Sequence, residues 1–378
     1  MARKRKKYQP SHTRRRYITM VVLVLALIGG WSWFWHYASD KAQVALDGWR
    51  AREAKAGRIY SCGSQTIGGY PFRFEVECDQ AAALLRSNQP PLEIKTGGMS
   101  IAAQIYQPNL LITEFHGPLT VADLGHAPNI IVNWKLAQSS ASGTPAAPER
   151  VSLVVDKPMV ERLSGGNRQT MLRAQRIEIH GRIAEGSAAN QPVIETVLRL
   201  HQASAADINP ALAKPVDADI TAVLHGLNNF APKPWPARFR EIQAAGGRID
   251  ITAARVRQGD TIAVGEGALS LNASGRLQGQ LRVTVSGVES FLATIGAQQA
   301  VQTSPDMDKV AGALDRLLPG LGGMARQQAT GSNLSLGINL LGEHTTLEGK
   351  PAVIVPMHFD DGSIFLGPIK IGNAPALF

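Results

Sequence analysis

Apolar and polar side chains alternate one by one over much of this chain. Val151, Leu153 and Val155 are spaced by Ser152 and Val154, and Ile177 and Ile179 alternate with Glu178 and His180. Ile194, Thr196, Leu198 and Leu200 point away from Glu195, Arg199 and His201, and Leu277, Leu281, Val283 and Val285 away from Gln278, Gln280, Arg282 and Thr284. A period of two predicts strands with one buried face. Gly259-Asp260, Ala273-Ser274-Gly275 and Asp360-Asp361-Gly362 punctuate the runs, which makes them antiparallel meanders rather than strand–helix–strand units. Gly265-Glu266-Gly267 lies inside a strand and reads as a bulge. Helical spacing is rare: residues 237–245, 289–295 and 306–318 are short candidates, the last stopped by Pro319-Gly320. Residues 138–148, rich in Ser and Ala, read as a surface loop, and residues 303–331 interrupt the strands a second time.

One run breaks this pattern. Residues 18–35 carry no charge, and Ile18, Val21, Leu23, Leu25 and Leu27 lead into Trp31, Trp33, Phe34 and Trp35. Eighteen residues at about 1.5 Å each reach roughly 27 Å, enough to cross a bilayer core. The aromatic cluster reads as an interfacial belt. A cleaved signal peptide also starts basic and turns apolar, but His36-Tyr37-Ala38 puts a bulky residue where a peptidase needs a small one, which favours an uncleaved anchor. Residues 40–57 then read as a separate helix, capped by Ser39 or Asp40, ended by Gly57, and acting as a stalk that lifts the next domain off the membrane.

Charge sharpens the topology. The chain of 378 residues has a formal charge of +9, but Arg3, Lys4, Arg5, Lys6, Lys7, Arg14, Arg15 and Arg16 supply eight positive charges before the apolar run. The remaining 362 residues are almost neutral. A basic flank stays cytoplasmic, so the bulk of the chain is expected outside, and nucleic acid is not an expected partner. With 44% hydrophobic residues and two cysteines, disordered, collagen-like and disulfide-dense classes are excluded.

Those two cysteines flank a hairpin. Phe72, Phe74 and Val76 alternate with Arg73, Glu75 and Glu77, and Gly68-Gly69-Tyr70-Pro71 supplies the turn. Centred on residue 70, the hairpin sets Cys62 opposite Cys78, at a separation that a disulfide can bridge. An exported domain permits the bond.

Catalytic signatures are missing. There is no HExxH, no G-x-S-x-G and no P-loop; residues 320–325 match the loose dinucleotide pattern but follow a helix, and His116, His126, His180, His201, His225, His344 and His358 form no ligand pair at helical spacing. Asp217 with Asp219, and Asp360 with Asp361, fit one strand face and a turn. No cofactor or metal is expected, and these absences argue against an enzyme, a hydrolase with a dispersed site being the residual alternative.

Gly48-Trp49-Arg50, the Cys62 to Cys78 block with Gly69-Tyr70-Pro71-Phe72-Arg73, Leu224-His225-Gly226-Leu227 and the closing Asp361-Gly362-Ser363-Ile364-Phe365-Leu366-Gly367 resemble an uncharacterised alphaproteobacterial family, the domain of unknown function DUF 2125. The glycine-punctuated strands are also similar to AsmA-like envelope proteins, whose curved sheets are associated with lipid traffic or outer-membrane assembly. These resemblances imply a single-pass protein of the bacterial inner membrane with a periplasmic β domain; they supply no catalytic residue.

The expected architecture is therefore mainly β, an antiparallel, curved or sandwich-like extended sheet with a few short helices after one N-terminal transmembrane helix. Its parts are a basic cytoplasmic tail (1–16), an anchor (17–37), a helical stalk (38–57) and a periplasmic β domain (58–378) with subdivision near 138–148 and 303–331. Alternation reads the same for a filled core as for an open groove. The expected partners are the bilayer through the anchor and a lipid ligand or envelope proteins. The leading functional expectation is a non-enzymatic lipid-binding or envelope-biogenesis module; the alternative is a scaffold acting through protein partners.

Overall fold

The computed structural model describes residues 12–378 apart from 145–146, 189, 209, 232, 288–341 and 368. It begins with a single helix, α1 (His12–Lys55). No break separates anchor from stalk, which corrects the expected boundary near residue 38. Ser39 and Asp40 can cap a helix only if their backbone leaves it, and nothing between Trp35 and Lys41 is a Gly or Pro that would force this. The helix does end where expected: Gly57 follows it with φ +80°, a conformation that costs glycine little. The helical candidates at 289–295 and 306–318, the interruption at 303–331 and the glycine pattern at 320–325 lie outside the described residues, as do Arg3, Lys4, Arg5, Lys6 and Lys7; Arg14, Arg15 and Arg16 are exposed on α1.

The strands among the remaining described residues form one antiparallel sheet. Its first strands are β1 (Arg58–Ser61), β2 (Ser64–Gly68), β3 (Arg73–Asp79), β4 (Ala82–Leu85), β5 (Leu92–Gln104) and β6 (Gln107–Asp123). Then follow β7 (Ile130–Asn133), β8 (Leu136–Thr144), β9 (Ala147–Asp156), β10 (Met159–Ser164), β11 (Asn167–Arg173) and β12 (Arg176–Ile183). β13 (Ile194–Ala203) and β14 (Val216–Leu224) precede a short helix, α2 (Trp235–Ala244), and β15 (Arg248–Gln258), β16 (Thr261–Leu271) and β17 (Leu277–Ser286) come after it. β18 (Glu343–Leu347), β19 (Lys350–Asp360), β20 (Ser363–Leu366) and β21 (Ile369–Asn373) complete the sheet. The main path of neighbours is β2–β3–β5–β6–β8–β9–β12–β13–β14–β15–β16–β17–β19. β4 with β1, and β7 with β10 and β11, branch from the long strands β5 and β6.

Three local expectations need correction. Residues 138–144 and 147–148 are not a loop but belong to β8 and β9, paired from Leu136↔Asp156 to Thr144↔Ala147. Ladder hydrogen bonds are made by the backbone, so small Ser and Ala side chains, which look like linker, pair as well as any others. The β2–β3 hairpin is centred beyond residue 70: its register is Gln65↔Cys78, so Cys62 is not the cross-strand partner of Cys78. The disulfide forms all the same, because Cys62 lies between β1 and β2 with its Cα 5.4 Å from that of Cys78. Closing a loop of this size contributes roughly 3 kcal/mol. The bulge suspected at Gly265-Glu266-Gly267 has its extra residue on the neighbour: Ile251 pairs with Gly267 and Ala254 with Gly265, so Thr252 and Ala253 oppose Glu266 alone.

One face of the sheet is laced with cross-strand ion pairs. Asp156, Arg176, Glu178, Arg199 and Asp219 form a chain over β9, β12, β13 and β14, with contacts of 2.7, 2.6, 3.6 and 3.1 Å. Arg182–Glu195 and Arg257–Asp217 continue the pattern. Hydrogen bonds from His180 and Arg176 hold the Glu178 carboxyl down to about 2, against an ordinary 4.5. A depressed carboxylate stabilises the fold fully above its unfolded pKa, and that stabilisation is lost as pH falls through the folded value. Acid titration of the full chain in detergent should therefore show stability falling between about pH 4.5 and 2. Glu178→Gln should flatten this limb and cost about 1–2 kcal/mol at neutral pH; an unchanged acid limb would remove Glu178 as its origin.

Candidate functional site

The opposite face is apolar, and the register keeps it so from strand to strand. A central row runs Val76, Ile101, Thr113, Ser139, Leu153, Ile179, Leu198, Ile220, Ala254, Gly265, Val283 and Val355. Parallel to it, Phe74, Ala103, Leu111, Ala141 and Val151 are in register on one side, and Phe115, Ala137, Val155, Ile177 and Leu200 on the other. The bulge at Thr252 and Ala253 preserves this face, since without the extra residue Ile249 and Ile251 would turn to the charged side. The inner row of a filled sandwich is fully buried. Here Leu111, Val151 and Ile179 are 41%, 46% and 41% exposed, and Leu153, Val155, Ile177, Leu198 and Leu200 are only half-buried. Fully buried Val283, Val285, Val353, Val355 and Leu366 gather at β17, β19 and β20.

At its N-terminal end this face meets α1. Trp35 is buried, stacks on Phe74 at 5.8 Å and donates its indole N–H to the Arg73 carbonyl at 3.2 Å. Trp31 donates to the Pro71 carbonyl at 2.9 Å, and the Ser32 and Tyr70 hydroxyls share a hydrogen bond of 2.8 Å. Gly69, with φ +94°, makes the turn; a Cβ there would lie 2.7 Å from the Arg73 carbonyl oxygen. The Gly69-Tyr70-Pro71-Phe72-Arg73 block is thus the clasp between sheet and helix, and its neighbours extend it: Trp49 stacks on Tyr60, and Arg50 reaches the Cys62 sulfur. α1 does not lift the β domain away from the end of the apolar run but carries it there. Among the aromatic residues expected to form a belt, Trp33, Phe34 and Tyr37 are exposed, whereas Trp31 and Trp35 face the protein. Ile18, Val21, Leu23, Leu25 and Leu27 are exposed along α1, which is long and apolar enough to cross a membrane.

Farther along, α2 roofs the face. Ile194, Leu224, Ile249, Leu269, Leu271 and Leu277 form the floor of a cavity of about 290 Å³, just under the roughly 300 Å³ at which small-molecule sites begin. Leu227, Phe230, Trp235, Phe239, Ile242 and Leu377 close it from above. The roof is pinned by two glycines: a Cβ on Gly226 would lie 2.5 Å from the Gly247 Cα, and one on Gly247 2.5 Å from the His225 carbonyl oxygen. Glu241 ties helix to loop by accepting from the Asn228 N–H, Lys233 and Arg238. Burial pushes its carboxyl up, but those donors outweigh it and leave the pKa below the ordinary value. The cavity wall is apolar almost throughout: the Arg238 guanidinium is taken up by Glu241 and that of Arg248 by Asp250, which also bridges to His225. The alternation of β13 to β17 makes the floor legible in the sequence; the roof is signalled there only by Leu224-His225-Gly226-Leu227 and the Gly246-Gly247 pair.

A second constellation lies on the charged face. The His180 ring bonds the Ser152 hydroxyl at 3.0 Å through Nδ1 and Glu178 at 3.0 Å through Nε2. This has the connectivity of a hydrolytic triad, but Glu178 is also engaged by Arg176 and Arg199, and β9, β12 and β13 pair on through these residues, so the surrounding N–H groups serve the ladder rather than an oxyanion. It reads as part of the ion-pair lacing. Among the described residues no group of three metal-ligating side chains occurs.

Fold and site together define a single-sheet β protein with one charged and one apolar face, clasped to an apolar N-terminal helix. Residues 35–375 match the family described as "uncharacterized protein conserved in bacteria" (DUF2125), and the chain belongs to it. The match covers the sheet and begins at Trp35, the residue stacked on Phe74. No curated protein matches the chain.

Gly247→Ala tests the roof. Overpacking at this junction should cost about 1–3 kcal/mol and raise amide exchange in residues 235–244 with little change in β9 or β12. Unchanged protection of α2 would mean that the glycine contact does not hold it.

Proposed function

We propose that this chain is a single-pass, membrane-anchored protein that holds lipid acyl chains along the apolar face of its sheet and catalyses no reaction. The observation that carries the reading is the continuity of that face. It starts at Phe74 against Trp35, runs half-exposed through β9, β12 and β13, and reaches the cavity under α2. Water-exposed apolar surface of this extent is abnormal for a soluble monomer and marks an interaction site. Acyl chains are the ligand whose source lies at the end of α1. Burying about ten methylenes would contribute roughly 8 kcal/mol before ordering costs. The basic Arg14-Arg15-Arg16 flank and the Cys62–Cys78 disulfide support an export topology, with the N-terminus cytoplasmic, the anchor in a bacterial inner membrane and the sheet in the periplasm.

The test uses the full chain in phosphatidylethanolamine and phosphatidylglycerol vesicles doped with a lipid bearing a photoactivatable acyl chain. Adducts are expected on peptides of β9, β12 and β13 as well as on α1. Ile179→Arg, at an exposed position in the central row, should lower the sheet adducts several-fold and spare those on α1. Adducts confined to α1, or sheet adducts indifferent to Ile179→Arg, would sink the reading and leave a scaffold that works through protein partners.

A further inference from the structure

We propose that the tip of the β2–β3 hairpin, Tyr70-Pro71-Phe72, together with Tyr106 in the β5–β6 turn, is a membrane-docking element that enters the bilayer interface beside α1. The inference rests on α1 spanning the bilayer and not on acyl-chain binding.

Depth is set by hydrogen bonds. Trp31 holds the Pro71 carbonyl and Ser32 holds the Tyr70 hydroxyl, so the tip lies level with residues 31 and 32 of the helix. Trp31 is four residues before Trp35, where the uncharged run ends, which sets the tip about 6 Å inside that end. A backbone hydrogen bond from Ile105 to the Phe72 carbonyl, 3.1 Å, brings the β5–β6 turn to the same place. Both turns present a bare aromatic ring: Phe72 is 67% exposed and Tyr106 77%. Trp33, Phe34 and Tyr37 of α1 are exposed in the neighbouring turns of helix.

The chemistry of these turns suits lipid. No charged residue occurs between Glu53-flanked Arg58 and Arg73 on the hairpin strands, nor anywhere between Lys95 and Glu114 on β5, its turn and the start of β6. Arg73, exposed at the tip's edge, has a stem long enough to keep its guanidinium in the headgroups. A lone exposed Phe on a soluble domain needs no explanation. Here two aromatic tips are held together about one helical turn inside the end of the apolar run, at the headgroup–acyl boundary. Two residues beyond Phe72, Phe74 begins the apolar face, so the docked tip seats the start of that face on the lipid surface.

The experiment exploits the cysteine content: the chain has two cysteines, and they are joined to each other. Phe72→Cys and Tyr106→Cys are labelled in the full chain with an environment-sensitive nitrobenzoxadiazole dye. The protein is then reconstituted in phosphatidylethanolamine and phosphatidylglycerol vesicles containing a lipid with a nitroxide near its headgroup. Trp33→Cys is the embedded reference. Gln89→Cys is the aqueous one, in the β4–β5 turn that reaches Gly57 beyond the far end of α1. Blue-shifted, strongly quenched emission at both 72 and 106, comparable with position 33, is expected. Water-like emission at either position, matching Gln89→Cys, overturns the proposal. Circular dichroism matched to the unaltered chain excludes misfolding as the cause. Because acyl-chain adducts on β9 and β12 do not depend on Phe72, a negative result here leaves the acyl-binding reading standing, and loss of those adducts leaves the docking result intact.

Discussion

Parity holds this molecule together. In a strand, neighbouring side chains point to opposite faces, so a ladder shifted by one residue exchanges the two faces of everything beyond it. Here the sorting of charged from apolar side chains survives more than ten consecutive ladders, from Val76 to Val355. Thr252 and Ala253 show the rule under stress: the bulge restores parity between Ile251 and Ala254 instead of letting it fail. The ion pairs on the opposite face help to enforce it, because a slipped strand would set Arg176 or Arg199 against aliphatic neighbours and leave Glu178 without partners. Exposed pairs of this kind stabilise little one by one. Their value is in excluding the wrong register.

The apolar face has to end somewhere, and its two ends are finished in different ways. At α1 the finish is aromatic: the indole N–H groups of Trp31 and Trp35 satisfy carbonyls of a tight turn while the Trp35 ring covers Phe74 and Tyr70. At α2 it is steric: two glycines let backbone meet backbone, and Ile242 drops onto the strands beneath. Between these ends the described residues leave the face half-exposed.

Much of this was legible in the sequence, for a plain reason. Strands such as β12, β13 and β17 carry strict alternation, and turns at Gly259-Asp260 and Asp361-Gly362 carry their own backbone chemistry, so local pattern and final structure agree. Residues 138–148 misled because Ser and Ala report nothing about burial, and their pairing is imposed by β6 and β9 on either side. The break expected at Ser39 or Asp40 failed because a capping side chain permits a helix start without compelling one. The cysteine pair was found although the hairpin centre was misplaced, since a disulfide needs nearness and not opposition in a ladder. The cavity was the hardest to see: floor and roof are separated in the chain, and Leu377 joins them from its far end.

Because α1 has no joint, its apolar end and its far end move as one body. About 30 Å of helix lie between Trp35 and Lys55, and side chains along that length are fastened to the sheet at Gln65, Tyr60 and Cys62. A change of about 20° in the tilt of the span, an ordinary value in bilayers, would sweep the upper end sideways by roughly 10 Å. The sheet would swing with it. In the proposed membrane-spanning role of α1, bilayer thickness, which sets the tilt of a span, thereby becomes a mechanical input to where the far strands of this protein can reach.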